Sequence, residues 1–143
     1  APYYHSHRIV KDLSEHTDDV IKLSIYDFRE ASEATYPTMQ RTAPEHQVIL
    51  ATPNWVDIMN PGVNKGSAVE AVQRDLGVTA DQTAIFGDFL NDLEMMPMAK
   101  WSFAMANGHP NIVKASNYVA QPNTENGGIT VLAALLGTRV PIT

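Results

Sequence analysis

The 143-residue chain contains no cysteine, which excludes disulfide staples and thiolate metal sites. It is also short of positive charge: 10 Lys and Arg stand against 16 Asp and Glu, for a formal net charge of −6. A surface of that sign argues against nucleic acid or an anionic membrane as partner. An anionic substrate would have to be received by a particular cation rather than by a basic field. Long hydrophobic runs are missing as well. None approaches the ~20 residues of a membrane span, and the N-terminus lacks the basic-then-apolar order of a signal peptide. The expectation is a soluble, cytoplasmic protein. What the chain does have is 44% hydrophobic and 18% charged residues, an ordinary globular composition. Its length suits one domain or one and a half, with a real core.

Residues 1–17 mix aromatics and charges without a period. His5-Ser6-His7 could in principle ligate a metal, but no carboxylate or third imidazole stands at ligand spacing, so a solvated segment is the plainer reading. From Val20 to Tyr26 a β-rich run places residues 21, 23 and 25 on one face. Arg29 to Gln40 reads as a weak helix broken at Pro37. Gln47–Ala51 and Trp55–Met59 read as strands, and the short Thr52-Pro53-Asn54 link suits an antiparallel hairpin. Asn60-Pro61-Gly62-Val63-Asn64 is the clearest boundary in the chain. Beyond it, Ala68, Val69, Val72 and Leu76 fall at helical spacing, with Asn64 as N-cap and Gly77 as stop. Thr79 to Gln82 has the outline of a capping box starting a single turn. Then follow a strand over 83–87, a helix using Leu93, Met95, Met96 and Met98, and a strand over 101–106. A helix starting at Pro110, a brief strand over 117–120 and a last helix stopped by Gly137 complete the order. Such alternation is that of half a doubly wound sheet.

The turn Gly87-Asp88-Phe89-Leu90-Asn91-Asp92 is where chemistry concentrates. Three polar residues, Asp88, Asn91 and Asp92, stand where a buried strand hands over to a helix, the position at which open α/β sheets hold ligands. A carboxylate there is a hard oxygen ligand and suits Mg²⁺ better than Zn²⁺, since no imidazole or thiolate is near. Asn91 could donate its amide N–H to a phosphate. Lys65, at a helix N-terminus where the dipole disfavours a cation by ~0.3–1 kcal/mol, could neutralise a second negative charge. The same residues also work as plain helix caps and a surface lysine, and local physics alone leaves both readings open.

Gly87-Asp88-x-x-Asn91-Asp92, with Lys65 upstream in Asn64-Lys65-Gly66, resembles the third and fourth motifs of haloacid dehalogenase-like hydrolases. The similarity is strongest to the Cof-like phosphatases of subclass IIB. Asn60-Pro61-Gly62-Val63-Asn64-Lys65-Gly66 matches that family's Pro-x-Gly-Val-x-Lys-Gly pattern. Ala104-Met105-Ala106-Asn107 matches its Ala-Met-Gly-Asn turn with one departure, and Glu125-Asn126-Gly127-Gly128-Ile129 follows in the family's order. The resemblance implies an α/β fold: the C-terminal half of a Rossmann-like core over 61–143, plus part of an α+β cap over 1–60. It implies a Mg²⁺-dependent phosphatase acting on a small phosphorylated metabolite, a sugar phosphate in the first place, through an aspartyl-phosphate intermediate. Lys65, Asp88 and Asp92 would be catalytic, Lys65 and Asn91 would hold the substrate phosphate, and Asp88 and Asp92 would serve the metal. In that scheme Asp92 supports metal and lysine from behind, and the cap selects the substrate. Phosphatases of mannosylglycerate, sucrose or trehalose phosphates and phosphomannomutases share the cap type, so the substrate stays open.

One part of the family pattern is missing. Its nucleophile lies in Asp-x-Asp-Gly-Thr, and the chain has no such motif; Ile25-Tyr26-Asp27-Phe28-Arg29 has arginine at the second aspartate and no Gly-Thr. The family's second motif, a Ser/Thr at a strand end, has no match either. The expectation is the C-terminal portion of a longer protein, inactive alone, whose exposed sheet edge is covered by the missing N-terminal portion or a second chain. A non-catalytic phosphate- or Mg²⁺-binding module of the same fold is the alternative.

Overall fold

The computed structural model describes residues 6–15 and 19–137. His5 therefore lies outside the described residues, and the His5-Ser6-His7 pair cannot be followed there. Two three-stranded sheets make up the frame. The first is antiparallel, in the order β1-β3-β2, from β1 (Leu23–Tyr26), β2 (Gln47–Thr52) and β3 (Trp55–Met59). The second is parallel, in the order β4-β5-β6, from β4 (Ala84–Gly87), β5 (Trp101–Met105) and β6 (Tyr118–Ala120). Helices α1 (Thr35–Thr42), α2 (Lys65–Leu76), α3 (Pro110–Ala115) and α4 (Gly127–Leu135) accompany them. Among the described residues no helix is long and apolar enough to cross a membrane.

The hairpin expected at Thr52-Pro53-Asn54 forms, with Leu50 opposite Val56 and Val48 opposite Ile58. This alternation puts Leu50 and Val56 on one face, where they bury together with Ala31 and receive Tyr36 and Met39 from the α1 region. Two expectations change here. The strand begins at Leu23, so Val20 and Ile21 fall outside it and are exposed. The helix runs over 35–42, so Pro37 falls in its first turn instead of breaking it. A proline costs nothing there, because first-turn N–H groups have no intrahelical acceptor.

In the parallel sheet, Ile85 buries with Met96, Ala99, Ala104 and Ile112. Met96 and Ile112 are fully enclosed, each stabilising by about 1.5–3 kcal/mol. Phe86 points the other way and stacks on Phe103 at 5.2 Å. The helix expected after Asp92 is replaced by two 3₁₀ turns, Leu90–Asp92 and Met96–Met98. Pro97 is the reason, since its ring excludes an α-helical partner four residues back. Met96 still reaches the core from the second turn.

Helix α2 is bounded as its sequence dictates. The Asn64 side chain accepts from Ser67 N–H at 2.9 Å, the Ser67 hydroxyl accepts from Asn64 N–H at 3.1 Å, and Gly77 closes the helix in the left-handed region. Its apolar stripe is not buried, however: Val72 is 56% and Leu76 70% exposed. They border an open, mostly apolar groove of about 480 Å³ between α2 and β4, shared with Val69, Val78 and Ile85. On that side β4 has no neighbouring strand among the described residues, where it pairs with β5 alone. The helical period is legible in the sequence, but among the described residues nothing covers Val72 and Leu76.

Candidate active site

Of the residues expected at the site, Lys65, Asp88 and Asp92 line one cleft at the 87–92 turn, and Asn91 is not part of that lining. β4 ends at Gly87, and a Cβ built there would stand 2.9 Å from the Cβ of Asp92 and 2.8 Å from Met96 Sδ. The glycine thus lets the chain fold back so that Asp92 tucks under the strand end. Asp92 is 4% exposed. One of its oxygens accepts from Asp88 N–H at 2.8 Å and from Phe89 N–H at 3.3 Å, and the other pairs with the Lys65 ammonium. A buried carboxylate has to be paired in this way, since burying it alone would cost several kcal/mol.

The same pair accounts for Lys65. Its place in the first turn of α2 opposes the helix dipole, and the Asp92 carboxylate offsets that cost. Gly66, next to it, is buried, and a Cβ there would collide with the backbone carbonyl of Glu94. Close contact of helix and turn is what carries the ammonium to Asp92. The Lys65 side chain is still half exposed. With Asp88 and Asp92 it lines a shallow cleft of about 350 Å³ floored by Phe86, Gly87 and Met105.

Asp88 has the opposite environment. It is exposed, its Oδ2 accepts from the Asn123 amide at 3.2 Å, and its backbone carbonyl accepts from His109 N–H at 2.7 Å. Asn91 is half-buried on the following 3₁₀ turn, and its side chain makes no hydrogen bond among the described residues. It remains free to donate to a ligand. The antiparallel sheet approaches the same turn: Phe89 and Leu90 pack against Leu50 and Val56, and Phe89 meets the His109 ring edge to face at 5.8 Å.

For a divalent metal the donor set is partial. Among the described residues no cluster of three His, Cys, Asp or Glu could hold an ion. Asp88 is a single exposed carboxylate whose Oδ1 makes no hydrogen bond among the described residues, and both oxygens of Asp92 are engaged. One free carboxylate fits Mg²⁺, which binds through one or two carboxylates and keeps waters and substrate oxygens as its other ligands. It does not fit Zn²⁺, which asks for four N, S or O ligands. Asn107, His109 and Asn123 were not foreseen as site residues. Asn107 lies in the Ala-Met-Ala-Asn turn, the one local signal among them.

A model of the family described as haloacid dehalogenase-like hydrolase matches residues 2–132, nearly the whole chain. The chain belongs to the haloacid dehalogenase-like hydrolases. It is 29% identical over 144 residues to the 5-amino-6-(5-phospho-D-ribitylamino)uracil phosphatase YbjI of Escherichia coli, covering 97% of this chain and 52% of that protein. Among solved structures it is similar to SMU.1108c of Streptococcus mutans, with a TM-score of 0.79, 30% identity and coverage of 90% of this chain and 49% of that one. It shares its fold with the subclass IIB sugar phosphatase BT4131, at a TM-score of 0.69, 24% identity and coverage of 84% and 44%. The chain spans about half the length of the curated relatives it matches. The mixed α/β architecture, one parallel and one antiparallel sheet, is thus that of this hydrolase family.

Proposed function

We propose that the chain carries the metal- and phosphate-binding half of a Mg²⁺-dependent phosphatase acting on a small phosphorylated metabolite, with a sugar phosphate as the first candidate. The observation that carries this reading is the pairing of Lys65 with buried Asp92 beside exposed Asp88, in one cleft at the end of a parallel strand. Asp88 is the residue we assign to Mg²⁺, which when bound neutralises phosphoryl oxygens and orients them for in-line attack. Lys65 offers a second positive charge to the same oxygens, and Asn91 an amide N–H. Asp92 holds Lys65 and the backbone of the turn. Its engaged oxygens favour support from behind over direct ligation, which narrows the expectation that both aspartates serve the metal. The phosphoryl acceptor would be an aspartate outside residues 1–143, giving an aspartyl-phosphate that water then hydrolyses.

The α2–β4 groove supports the same division of labour. An apolar strand edge beside exposed Val72 and Leu76 is a surface that a further strand would pair with and cover. We assign it to a nucleophile-bearing segment, which would deliver its aspartate beside Asp88. Residues 1–60 would form part of a cap contributing to substrate choice, and residues 61–143 part of the core. Reading the coding sequence upstream of residue 1, and assaying the protein extended by it against a panel of sugar phosphates, tests the proposal. An Asp-x-Asp-Gly-Thr there, with Mg²⁺-dependent turnover lost in Asp88→Asn and Lys65→Ala, is the expected result. An extended protein that binds Mg²⁺ and phosphate but turns nothing over would favour a non-catalytic module.

A further inference from the structure

The Asp88 carboxylate is held by a second asparagine that no motif of the 87–92 turn contains. Asn123, in the loop after β6, donates its amide N–H to Asp88 Oδ2 at 3.2 Å. Its own orientation is set by Asn107, in the turn after β5. The Asn107 amide donates to Asn123 Oδ1 at 2.9 Å, and Asn107 Oδ1 accepts from Asn123 N–H at 3.1 Å. This two-bond clasp leaves the Asn123 amide group only its NH₂ end to present, and that end faces Asp88. Beneath it, Ala106 N–H donates to the Ala120 carbonyl at 3.0 Å and His109 N–H to the Asp88 carbonyl at 2.7 Å. The C-terminal ends of β4, β5 and β6 are thereby tied into one rim.

We infer that the Asn107–Asn123 clasp is a positioning device that fixes the rotamer of Asp88, keeping Oδ2 engaged and presenting Oδ1 outward to a divalent cation. The inference rests on the assignment of Asp88 to Mg²⁺ made above. Stability does not explain the arrangement. Asp88, Asn107 and Asn123 are all exposed, and hydrogen bonds that compete with water there contribute little to folding. Fixing a ligating carboxylate through a hydrogen-bonded neighbour is, in contrast, worth 10- to 100-fold in metal affinity in typical sites. The Asn123 oxygen is turned to Asn107, so it is the NH₂ group that meets Asp88.

The test uses the isotope-labelled chain. Three-bond couplings of Asp88 Cγ to its backbone nitrogen and carbonyl carbon report the χ1 rotamer, and amide shifts over 87–92 report Mg²⁺ binding. In wild type the couplings should correspond to one rotamer. Asn123→Ala should average them and weaken Mg²⁺ binding roughly tenfold. Asn107→Ala should act in the same direction although it does not touch Asp88, and Thr124→Ala, an exposed neighbour, should leave both readouts unchanged. Amide protection of β4 and β5 should stay as in wild type throughout. If Asn123→Ala keeps one rotamer and the wild-type Mg²⁺ affinity while Asp88→Asn abolishes binding, the positioning role is overturned and the metal assignment stands. If wild type shows no Mg²⁺ response at Asp88, the metal assignment is overturned and this inference with it.

Discussion

The two sides of β4 could hardly differ more. Toward β5, Ile85 sinks into a closed cluster with Met96 and Ile112, and Phe86 stacks on Phe103. Toward α2, the strand edge is bare among the described residues, and Val72 and Leu76 are exposed. Yet the polar end of the strand, shared by both sides, is finished: Asp92 has a partner for each oxygen, and Lys65 has its counter-charge. The polar end of the strand is thus completed by a glycine, a buried carboxylate and a capped helix, whereas on the α2 flank the described residues leave apolar side chains uncovered. α4 repeats the pattern, with Gly127 and Ala133 buried but Ile129, Leu132 and Leu135 exposed.

Substitutions on the two sides should therefore separate by stability. Met96→Ala should cost about 3 kcal/mol in urea unfolding, from lost transfer energy and a cavity. Leu76→Ala, equally apolar in sequence, should stay within about 0.5 kcal/mol. Equal losses would mean that the groove is closed in solution, and the contrast would be gone. Next in size is the pair of aspartates. Asp92→Ala takes the partner from half-exposed Lys65 and the acceptor from two part-buried backbone N–H groups, and should destabilise by about 2–4 kcal/mol. Asp88→Ala, four residues away and exposed, should change stability by less than about 0.5 kcal/mol.

How much of this was readable follows from the range of each interaction. Asn64, Ser67 and Gly77 bound α2 through contacts within three or four residues, and the sequence carries them openly. The Thr52-Pro53-Asn54 hairpin and the capping box ending at Gln82 are of the same kind. The motif singles out Lys65 and Asp92, but their mutual contact spans 27 residues and has no local spacing to announce it. Asn123 meets Asp88 across 35 residues and was invisible for that reason. The α2 stripe misled in a different way: a 3.6-residue period reveals which face wants cover, and it cannot say whether the cover is present. The helix expected after Asp92 failed on Pro97, a local signal that the methionine pattern outweighed.

The bare edge should also show itself in association. At high concentration the chain should self-associate through β4 and the groove, and Leu76→Lys should shift light scattering toward monomer. A wild type that stays monomeric would weaken the contrast from the other direction. The smallest effect lies away from β4, at the antiparallel sheet. The Thr35 hydroxyl and then the Arg29 N–H hold the Asp27 carboxyl below its ordinary value of 3.8. Since the folded value is the lower one, its contribution is present above that pH and is lost as pH falls through the folded value. Thr35→Val should move the Asp27 titration upward in carbon-detected NMR.

Whether the nucleophile lies outside these residues is decided by turnover of the 143-residue protein itself, assayed with Mg²⁺ and sugar phosphates. None is expected: Asp88 is the residue proposed for Mg²⁺ and Lys65 and Asn91 those proposed for the phosphate, and no Asp-x-Asp-Gly-Thr stands among these residues to attack it. Mg²⁺-dependent release of phosphate that disappears in Asp88→Asn would contradict that expectation, by showing that the nucleophile is already in this chain.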